Sequence, residues 1–416
     1  MPVETKQVNW TDAALQAEVR AAARNYQDHM VKFLRDMIAI PSESCHEERV
    51  IARIKQEMEE AGFDEIKIDG LGNILGRVGS GPRVIAMDAH IDTVGVGDPE
   101  AWKVDPYQGD LKDGVIYGRG ASDQEAGMAA MVWGAKIIKD LDLAGDCQIW
   151  VTGTVMEEDC DGLCWQYILR EKVLAPEVVV STEPTNLAVY RGHRGRMEIT
   201  VRTKGVSCHG SAPERGVNAV YKMAPIIAAV EQLNEDLAAG ADPFLGKGSV
   251  TISDVRSTSP SLCAVADSCT IHLDRRLTVG EDLEFAVKQI QDLPAVKAAG
   301  AEVAVLDYAE TAYTGLVYPT KKYYPSWVVA QDHPAVQAGV VAARVANEAE
   351  PVVDKWIFST NGTITCGMFG IPTIGFGPAN EIYAHSVDDQ CPVEHLVRAA
   401  AFYAAFPTAW SQSAGA

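Results

Sequence analysis

Residues 83–92 of the chain read RVIAMDAHID, a continuous apolar run that ends abruptly in His90 and Asp92. An uninterrupted run rich in Val and Ile is typical of a strand buried on both faces, as in a parallel sheet. His90 and Asp92 are two residues apart, so on an extended strand their side chains point to the same side. The stretch therefore predicts a central strand that delivers two polar side chains at its carboxyl end.

Three further runs have the same shape, and helical patterns separate them. The runs are CQIWVTGTVMEED (147–159), PEVVVSTEP (176–184) and IPTIGFG (371–377). The spacing of apolar residues predicts helices over 13–39, 47–62 and 122–140, the second of which ends at Gly62. This alternation indicates an α/β fold with a mainly parallel central sheet flanked by helices.

The middle of the chain has a different pattern. From about 194 to 308, alternating strands and two helical stretches predict a smaller α+β unit inserted into the α/β domain. We therefore expect the main domain to comprise 1–193 and 311–416, with the inserted unit at 194–310. The length of 416 residues is consistent with two domains.

Composition and charge argue against several classes of protein. There are 57 acidic and 36 basic residues, so the net charge is −21, which disfavours nucleic acid or a membrane as a partner. No run approaches the roughly 20 apolar residues of a membrane helix, and the N-terminus lacks the apolar core of a signal peptide. The nine cysteines are scattered and odd in number, unlike a disulfide framework. We expect a cytoplasmic protein.

Potential metal ligands follow the predicted strands or open the helix between them, where open α/β sheets bind ligands. The set comprises His90 with Asp92, Asp123 in RGASD, Glu157 and Glu158 in MEED, Glu183 in STEP, and His385 in AHS. Two histidines with three of these five carboxylates suit zinc, with cobalt or manganese as alternatives. With one carboxylate shared, five ligands would hold two metals about 3.5–4 Å apart.

Each of these residues also has a simpler explanation. A neighbouring carboxylate can satisfy His90, and Ser122 or Asp123 can cap the helix that follows. The adjacent Glu157 and Glu158 can be solvated at the end of a strand. Taken together, the motifs favour a metal centre over five unrelated local roles.

The ordered motifs resemble the di-zinc metallopeptidase family that contains aminoacylase, acetylornithine deacetylase, succinyl-diaminopimelate desuccinylase and glutamate carboxypeptidase. The motifs are DAHIDTV (88–94), GRGASDQEAG (118–127), TVMEEDCDG (154–162), STEPT (181–185) and AHSVDD (384–389). Phrases such as IPSESCHEE and DKWIFSTNGT are most similar to a subgroup of selenium-metabolism-linked hydrolases. The resemblance implies that the main domain is catalytic and that the inserted unit is a lid or dimerisation domain.

The resemblance also implies a role for each motif residue. The ligands of two divalent metals, zinc in the first place, would be His90, Asp123 as the bridge, Glu158, Glu183 and His385. Asp92 would orient His90, and Glu157 would be the general base for a metal-bridged hydroxide. The implied reaction is cleavage of a C–N amide bond in a small carboxylate-bearing molecule, such as an N-acyl or N-carbamoyl amino acid or a dipeptide.

A sixth motif, SCHGSAPERG, contains His209 and matches a family histidine that stabilises the oxyanion. In the family this histidine often reaches the partner subunit's site, so the resemblance implies a homodimer formed through the inserted domain. It leaves open whether His209 acts in its own or the partner subunit's site. From the residues alone, His209 could instead cap the helix that starts near Asn218.

Two further residues are candidates for binding substrate. Arg275 in HLDRR matches a family arginine that grips the substrate carboxylate, although it could instead pair with Asp274 or Glu302. Asn361 lies in STNGT (359–363), where relatives often carry Gly-Thr-Ser-Asp. The stretch SLCAVADSC (261–269) also departs from the family, since it lacks the usual Asn and Pro. These departures affect the substrate pocket and leave the metal set intact.

Two other functions remain open at this point. The same metals could support a deaminase-type or ureidohydrolase-type reaction on another C–N bond. A non-catalytic binding protein could also use the fold, but such a protein is expected to lose ligands, and all five positions are present here.

Overall fold

The computed structural model describes residues 8–414, and ten α-helices lie within that range. They are α1 Ala13–Asn25, α2 Gln27–Ile38, α3 Glu48–Ala61, α4 Glu125–Asp140, α5 Leu163–Arg170, α6 Ala219–Asp236, α7 Leu283–Asp292, α8 Pro294–Ala299, α9 Pro334–Asn347 and α10 Val393–Ala414. The helix predicted over 47–62 is confirmed as α3, which ends at Gly62 in the left-handed conformation.

The single helix predicted over 13–39 is wrong, because Tyr26 separates α1 from α2. The Tyr26 ring lies 4.8 Å from the ring of Trp133, and its hydroxyl donates to Asp140. Both partners belong to α4, so packing against α4 accompanies a break that the apolar spacing does not reveal.

Twenty strands lie in the same described range. They are β1 Glu65–Ile68, β2 Ile74–Val78, β3 Arg83–His90, β4 Asp110–Lys112, β5 Val115–Tyr117, β6 Cys147–Thr154, β7 Val178–Ser181, β8 Val189–Tyr190, β9 Gly192–His193, β10 Gly195–Lys204, β11 Ser249–Thr258, β12 Ser268–Leu277, β13 Glu302–Val305, β14 Asp307–Tyr308, β15 Thr320–Lys321, β16 Tyr323–Tyr324, β17 Trp327–Val328, β18 Val353–Asp354, β19 Thr373–Gly375 and β20 Gln390–Pro392.

Eight strands form the central sheet, in the order β1-β2-β6-β3-β7-β19-β8-β18. The neighbours β6, β3, β7 and β19 are parallel, whereas β2 and β1 continue one side in antiparallel fashion. The register pairs His90 with Thr154, and Asp88 with Ser181, so the middle strands end at one edge. The predicted α/β fold is confirmed, and the segments that carry the predicted ligands leave from this edge.

A second sheet has the order β11-β12-β10-β13, and β16 also pairs with β10. Its strands are antiparallel, and α6 and α7 cover one face through a core that includes Ile226, Val230 and Ile290. This core is separate from the core of the central sheet. We keep 194–310 as our proposal for the inserted domain, which the separate core supports.

The remaining sequence predictions at this level concern cysteines and membrane segments. All nine cysteines are free thiols, and five of them are buried. Among residues 8–414, no helix combines the length and the hydropathy that crossing a bilayer requires.

Candidate metal centre and cleft

His90 ends β3 and is almost fully buried. Its Nδ1 lies 2.9 Å from the backbone carbonyl oxygen of Asp92, which can only accept, so Nδ1 carries the proton. Nε2 therefore faces oxygens of Asp123 at 3.0 Å, Glu183 at 3.6 Å and Glu157 at 3.9 Å. A neutral imidazole presents a lone pair there, so this arrangement needs a proton or a cation between the groups.

Asp123 lies between the two histidines. Its Oδ1 faces His90, and its Oδ2 lies 3.3 Å from Nε2 of His385. The same Nε2 is 2.9 Å from Oε2 of Glu158. The α4 helix starts at Glu125 without a side-chain cap, so the alternative role of Asp123 as a helix cap does not apply. Its two oxygens are directed toward two different sites, as a bridging carboxylate requires.

Buried carboxylates hold the turn that presents Glu157 and Glu158. Asp92 accepts hydrogen bonds from the backbone N–H groups of Glu157 and Glu158 at 3.1 and 3.0 Å. The preceding Met156 has a positive φ of 61°, and its N–H donates to Glu47 at 3.0 Å. This turn directs Glu157 toward His90 and Glu158 toward His385. Asp92 thus shapes the turn with its carboxylate and contacts His90 through its carbonyl group.

The electrostatics show an excess of negative charge in a buried place. Burial raises the pKa of both Glu157 and Glu183 well above the usual range, and neighbouring carboxylates add to the effect. Burial also pushes the pKa of Asp123 upward, but the adjacent imidazoles of His385 and His90 outweigh it and hold that pKa low. Hydrogen bonds to Asp123 and Glu158 raise the pKa of His385 to about 10. The raised pKa values of Glu157, Glu183 and His385 have the sign expected for a crowded, buried group of anions.

The residues fit a divalent metal centre. In the described part of the chain, the donor atoms of His90, Asp123 and Glu158 lie within 4.8 Å of one another, and so do those of His90, Glu157 and Glu183. The buried Oε1 of Glu157 and Oε2 of Glu183 have no hydrogen-bond partner among residues 8–414, and such buried unpaired oxygens indicate a missing ligand. Nitrogen and carboxylate donors are those that zinc accepts.

A cleft of about 640 Å³ opens over this cluster. Its lining also includes Arg194, Arg196 and Arg276, which we call the arginine wall. Arg196 is paired with Asp161 at 3.0 Å, and Arg276 with Asp274 at 2.7 Å. Arg194 donates to a backbone carbonyl oxygen and has no carboxylate oxygen within 4.0 Å among residues 8–414. Of these three arginines, Arg194 is therefore the one whose charge is not matched by a carboxylate of the described chain.

Arg275 does not line this cleft. Its side chain is fully buried and donates to Glu281 at 2.8 Å and to Gln289 at 3.0 Å. The open alternatives of Asp274 and Glu302 are not its partners, since Asp274 binds Arg276. Strand alternation could have revealed this, because Arg275 shares the buried face of β12 with Leu273 and Leu277.

Asn361 and His209 are also outside the cleft of this chain. The Asn361 side chain is buried and donates to Asp88 at 2.9 Å and Thr154 at 3.1 Å, beneath the strand ends. His209 is exposed on the inserted unit and accepts a hydrogen bond from the backbone N–H of Ser211. The cap of α6 is the Asn218 side chain, so His209 does not perform that role.

Comparison with known sequences places the chain among its relatives. Residues 86–409 match the family described as peptidase family M20/M25/M40. The chain is 56% identical over 388 residues to a protein of Escherichia coli (strain K12) named uncharacterized protein YgeY, covering 93% of this chain and 96% of that one. It is 31% identical over 208 residues to succinyl-diaminopimelate desuccinylase of Cereibacter sphaeroides, covering 47% of this chain and 55% of that protein.

Solved structures share the fold at low sequence identity. A tripeptidase from Staphylococcus aureus superposes with a TM-score of 0.70 at 20% identity, covering 93% of this chain and 99% of that one. YXEP of Bacillus subtilis, a dinuclear metal-binding peptidase, gives a TM-score of 0.66 at 14% identity, covering 92% of this chain and 98% of that one. The family match extends over most of the chain and includes all five predicted ligands. The chain therefore belongs to peptidase family M20/M25/M40.

Proposed function

We propose that this enzyme hydrolyses the amide bond of a small substrate that carries a carboxylate, such as an N-acyl or N-carbamoyl amino acid or a dipeptide. Membership of the family makes the chain a metal-dependent hydrolase of C–N amide bonds. The proposal concerns the kind of substrate, the metal ligands and the roles of individual residues. The convergence of His90, Asp123, Glu158, Glu183 and His385 carries it.

In this proposal the five converging residues would hold two divalent cations, and Asp123 would be the shared ligand. When bound, the cations would polarise the scissile carbonyl group and lower the pKa of a water molecule toward neutrality. Asp92 fixes the tautomer of His90 through its carbonyl group and shapes the turn of Glu157 and Glu158 with its carboxylate. These buried hydrogen bonds orient the side chains that would bind the ions.

Glu157 is our choice for the general base. Its buried carboxylate lines the cleft, and its Oε1 has no hydrogen-bond partner within the described range. Burial raises its pKa, which suits a group that takes a proton from the attacking water and gives it to the leaving nitrogen. Because Glu157 also belongs to one group of potential ligands, the measurement that assigns its role is metal content.

The carboxylate of the substrate would bind the arginine wall. Among residues 8–414, Arg194 has no carboxylate partner, so its guanidinium is available to an incoming anion. A guanidinium binds a carboxylate through two parallel hydrogen bonds. We propose Arg194 for this role in place of Arg275, which is fully buried outside the cleft and bound to Glu281. Arg276 also lines the cleft, but its guanidinium is bound to Asp274.

We also propose a homodimer in which His209 serves the cleft of the partner subunit. Its exposure, and its absence from the cleft of its own chain, support this placement. The edge strand β11 and the exposed side chains of Tyr221 and Leu262 offer the surface for such an association.

A panel of N-acyl amino acids, N-carbamoyl amino acids and dipeptides tests the proposal, with released amine, ammonia and carbon dioxide scored separately. We expect turnover of a carboxylate-bearing amide, loss of turnover after chelation, and recovery when zinc, cobalt or manganese is restored. The matched ester of the best substrate, which lacks the anion, should react poorly. Ammonia release from a substrate without an acyl or peptide bond would favour the deaminase or ureidohydrolase alternative.

Substitution of Glu157 by Ala tests whether this residue is the general base or a metal ligand. We expect Glu157→Ala to retain about two metal ions per chain while turnover falls by about 10²–10⁴-fold, the usual contribution of a general base. Glu183→Ala serves as the comparison and should lose metal. Unchanged turnover would remove Glu157 from the mechanism, and loss of one metal would make it a ligand.

A further inference from the structure

Asp389 lies four residues after His385 and is almost fully buried. Its Oδ2 accepts from the guanidinium of Arg119 and from the backbone N–H of Gly120, both at 3.0 Å. Its Oδ1 accepts from the backbone N–H of Ser122 at 2.8 Å and from its hydroxyl at 2.6 Å. One carboxylate therefore receives four hydrogen bonds from residues 119–122, the turn that leads directly into Asp123.

Two backbone groups of this turn use Asp389 as their acceptor. The N–H groups of Gly120 and Ser122 both donate to its carboxylate. A buried backbone N–H without an acceptor costs about as much as a lost hydrogen bond. Gly120 also has a φ of 88°, which a residue with a side chain rarely adopts. The conformation before Asp123 is thus tied to a residue from the C-terminal part of the chain.

The carboxylate of Asp389 has a cation, Arg119, on one side and a second carboxyl group, Glu125, on the other. The guanidinium of Arg119 is itself buried and stacks 5.0 Å from the ring of Trp102. Glu125 lies near Asp389 in the first turn of α4, and its buried Oε2 has no hydrogen-bond donor among residues 8–414. An asparagine at this position would have a single oxygen for the four donors. Its NH2 group would face the two donors that now bind the second carboxylate oxygen. The site is therefore built for a carboxylate.

We infer that Asp389 is a positioning residue of the metal centre. It joins the turn that carries Asp123 to the segment that carries His385, and so sets the 3.3 Å approach of Asp123 Oδ2 to His385 Nε2. Asp389 touches neither the metal nor the substrate and acts only through the two ligands. The inference rests on the proposed ligand roles of Asp123 and His385.

Titration of the metal-free enzyme with Co²⁺ tests the inference, with the visible absorption of the bound ion as the readout. Asp389→Asn should weaken Co²⁺ binding about 10–100-fold, the usual effect of removing a partner behind the ligands, and should alter the absorption bands. The matched control is Asp388→Asn, because Asp388 is adjacent and exposed and forms an ion pair with Lys103 at 2.8 Å, away from Asp123 and His385. The control should bind Co²⁺ within about twofold of the wild type.

Wild-type affinity and wild-type absorption bands in Asp389→Asn would overturn the inference. If that variant fails to fold, Ser122→Ala tests the inference instead, because it removes one donor to Asp389 and leaves the carboxylate in place. Ser122→Ala is expected to weaken Co²⁺ binding about threefold or more, and an unchanged affinity would overturn the inference. Failure of the wild type to bind Co²⁺ would instead overturn the proposed metal centre itself.

Discussion

His193 shows how a single buried residue supports the cleft without entering it. Its Nδ1 donates to the carbonyl oxygen of Arg194 at 2.8 Å, and its Nε2 accepts from the indole of Trp327 at 2.7 Å. The backbone N–H of Thr360 also donates to this Nε2, at 3.1 Å. Burial lowers the pKa of His193 to about 4. The neutral imidazole thus links the arginine wall to the segment beside the cleft.

This depressed pKa predicts a loss of stability in mild acid. The unfolded chain has a histidine pKa of about 6.5, so below that pH it takes up the proton before the folded protein does. The stability contributed by neutral His193 is therefore present at pH 7 and declines as the pH falls toward 4. Between pH 7 and pH 5 the expected loss is on the order of 2 kcal/mol.

Urea unfolding of the metal-free protein at the two pH values measures this loss. His193→Gln is less stable than the wild type at pH 7, because hydrogen bonds are lost, but it lacks the titrating group. The stability difference between the two proteins should therefore narrow at pH 5. The exposed His46 provides the control, and His46→Gln should follow the wild type at both pH values. A difference that stays constant would assign the acid sensitivity to other groups.

Helix α4 packs closely against the segment that follows β7. A Cβ atom added at Gly127 of α4 would lie 2.2 Å from Thr182 Oγ1 and 2.8 Å from the Thr182 carbonyl oxygen. Thr182 immediately precedes the proposed ligand Glu183. The missing side chain at Gly127 therefore lets the helix pack directly against the segment that presents Glu183.

Gly127→Ala is consequently expected to destabilise the enzyme. The better helix propensity of alanine gains about 1 kcal/mol, but overpacking against backbone typically costs about 1–3 kcal/mol, and the clash should dominate. We expect a lower melting temperature and weaker metal binding. Gly240→Ala is the matched control, because its added Cβ has open space around it. Equal melting temperatures for the two variants would contradict the packing argument.

The elements also show why some predictions succeeded. The runs at 83–92 and 147–159 are confirmed as β3 and β6, since a buried parallel strand needs a continuous apolar sequence. The break at Tyr26 was missed, because it coincides with contacts to α4 and not with a change in periodicity.

At the scale of the whole molecule, the proposed homodimer predicts the association state in solution. The chain has a mass of 44.8 kDa, and we expect light scattering in solution to give twice that value. A double variant, Tyr221→Glu with Leu262→Glu, places charge on the exposed apolar surface of the inserted unit and should shift the protein toward monomer. Its activity should fall as well, because His209 would no longer reach the partner's cleft.

The control for this experiment uses an edge of the other sheet. Ile68 is exposed on β1, at the border of the central sheet, so Ile68→Glu should leave the association state unchanged. A double variant that remains dimeric would move the interface elsewhere. A monomeric wild type with full activity would remove both the dimer and the role of His209.

The sequence by itself determined the α/β fold and the candidate ligands. Each ligand follows a buried run or opens the helix after one, so local order along the chain was sufficient to find it. Only the tertiary structure decided that Arg276 lines the cleft while Arg275 binds Glu281, and that Asp389 supports the turn before Asp123. Contacts such as that between Asp389 and Gly120 join residues that are distant in sequence. A short motif does not reveal them, because it contains no information on side-chain direction or long-range packing. The family resemblance therefore indicated the ligands, whereas the residues that hold them had to be read from the packed chain.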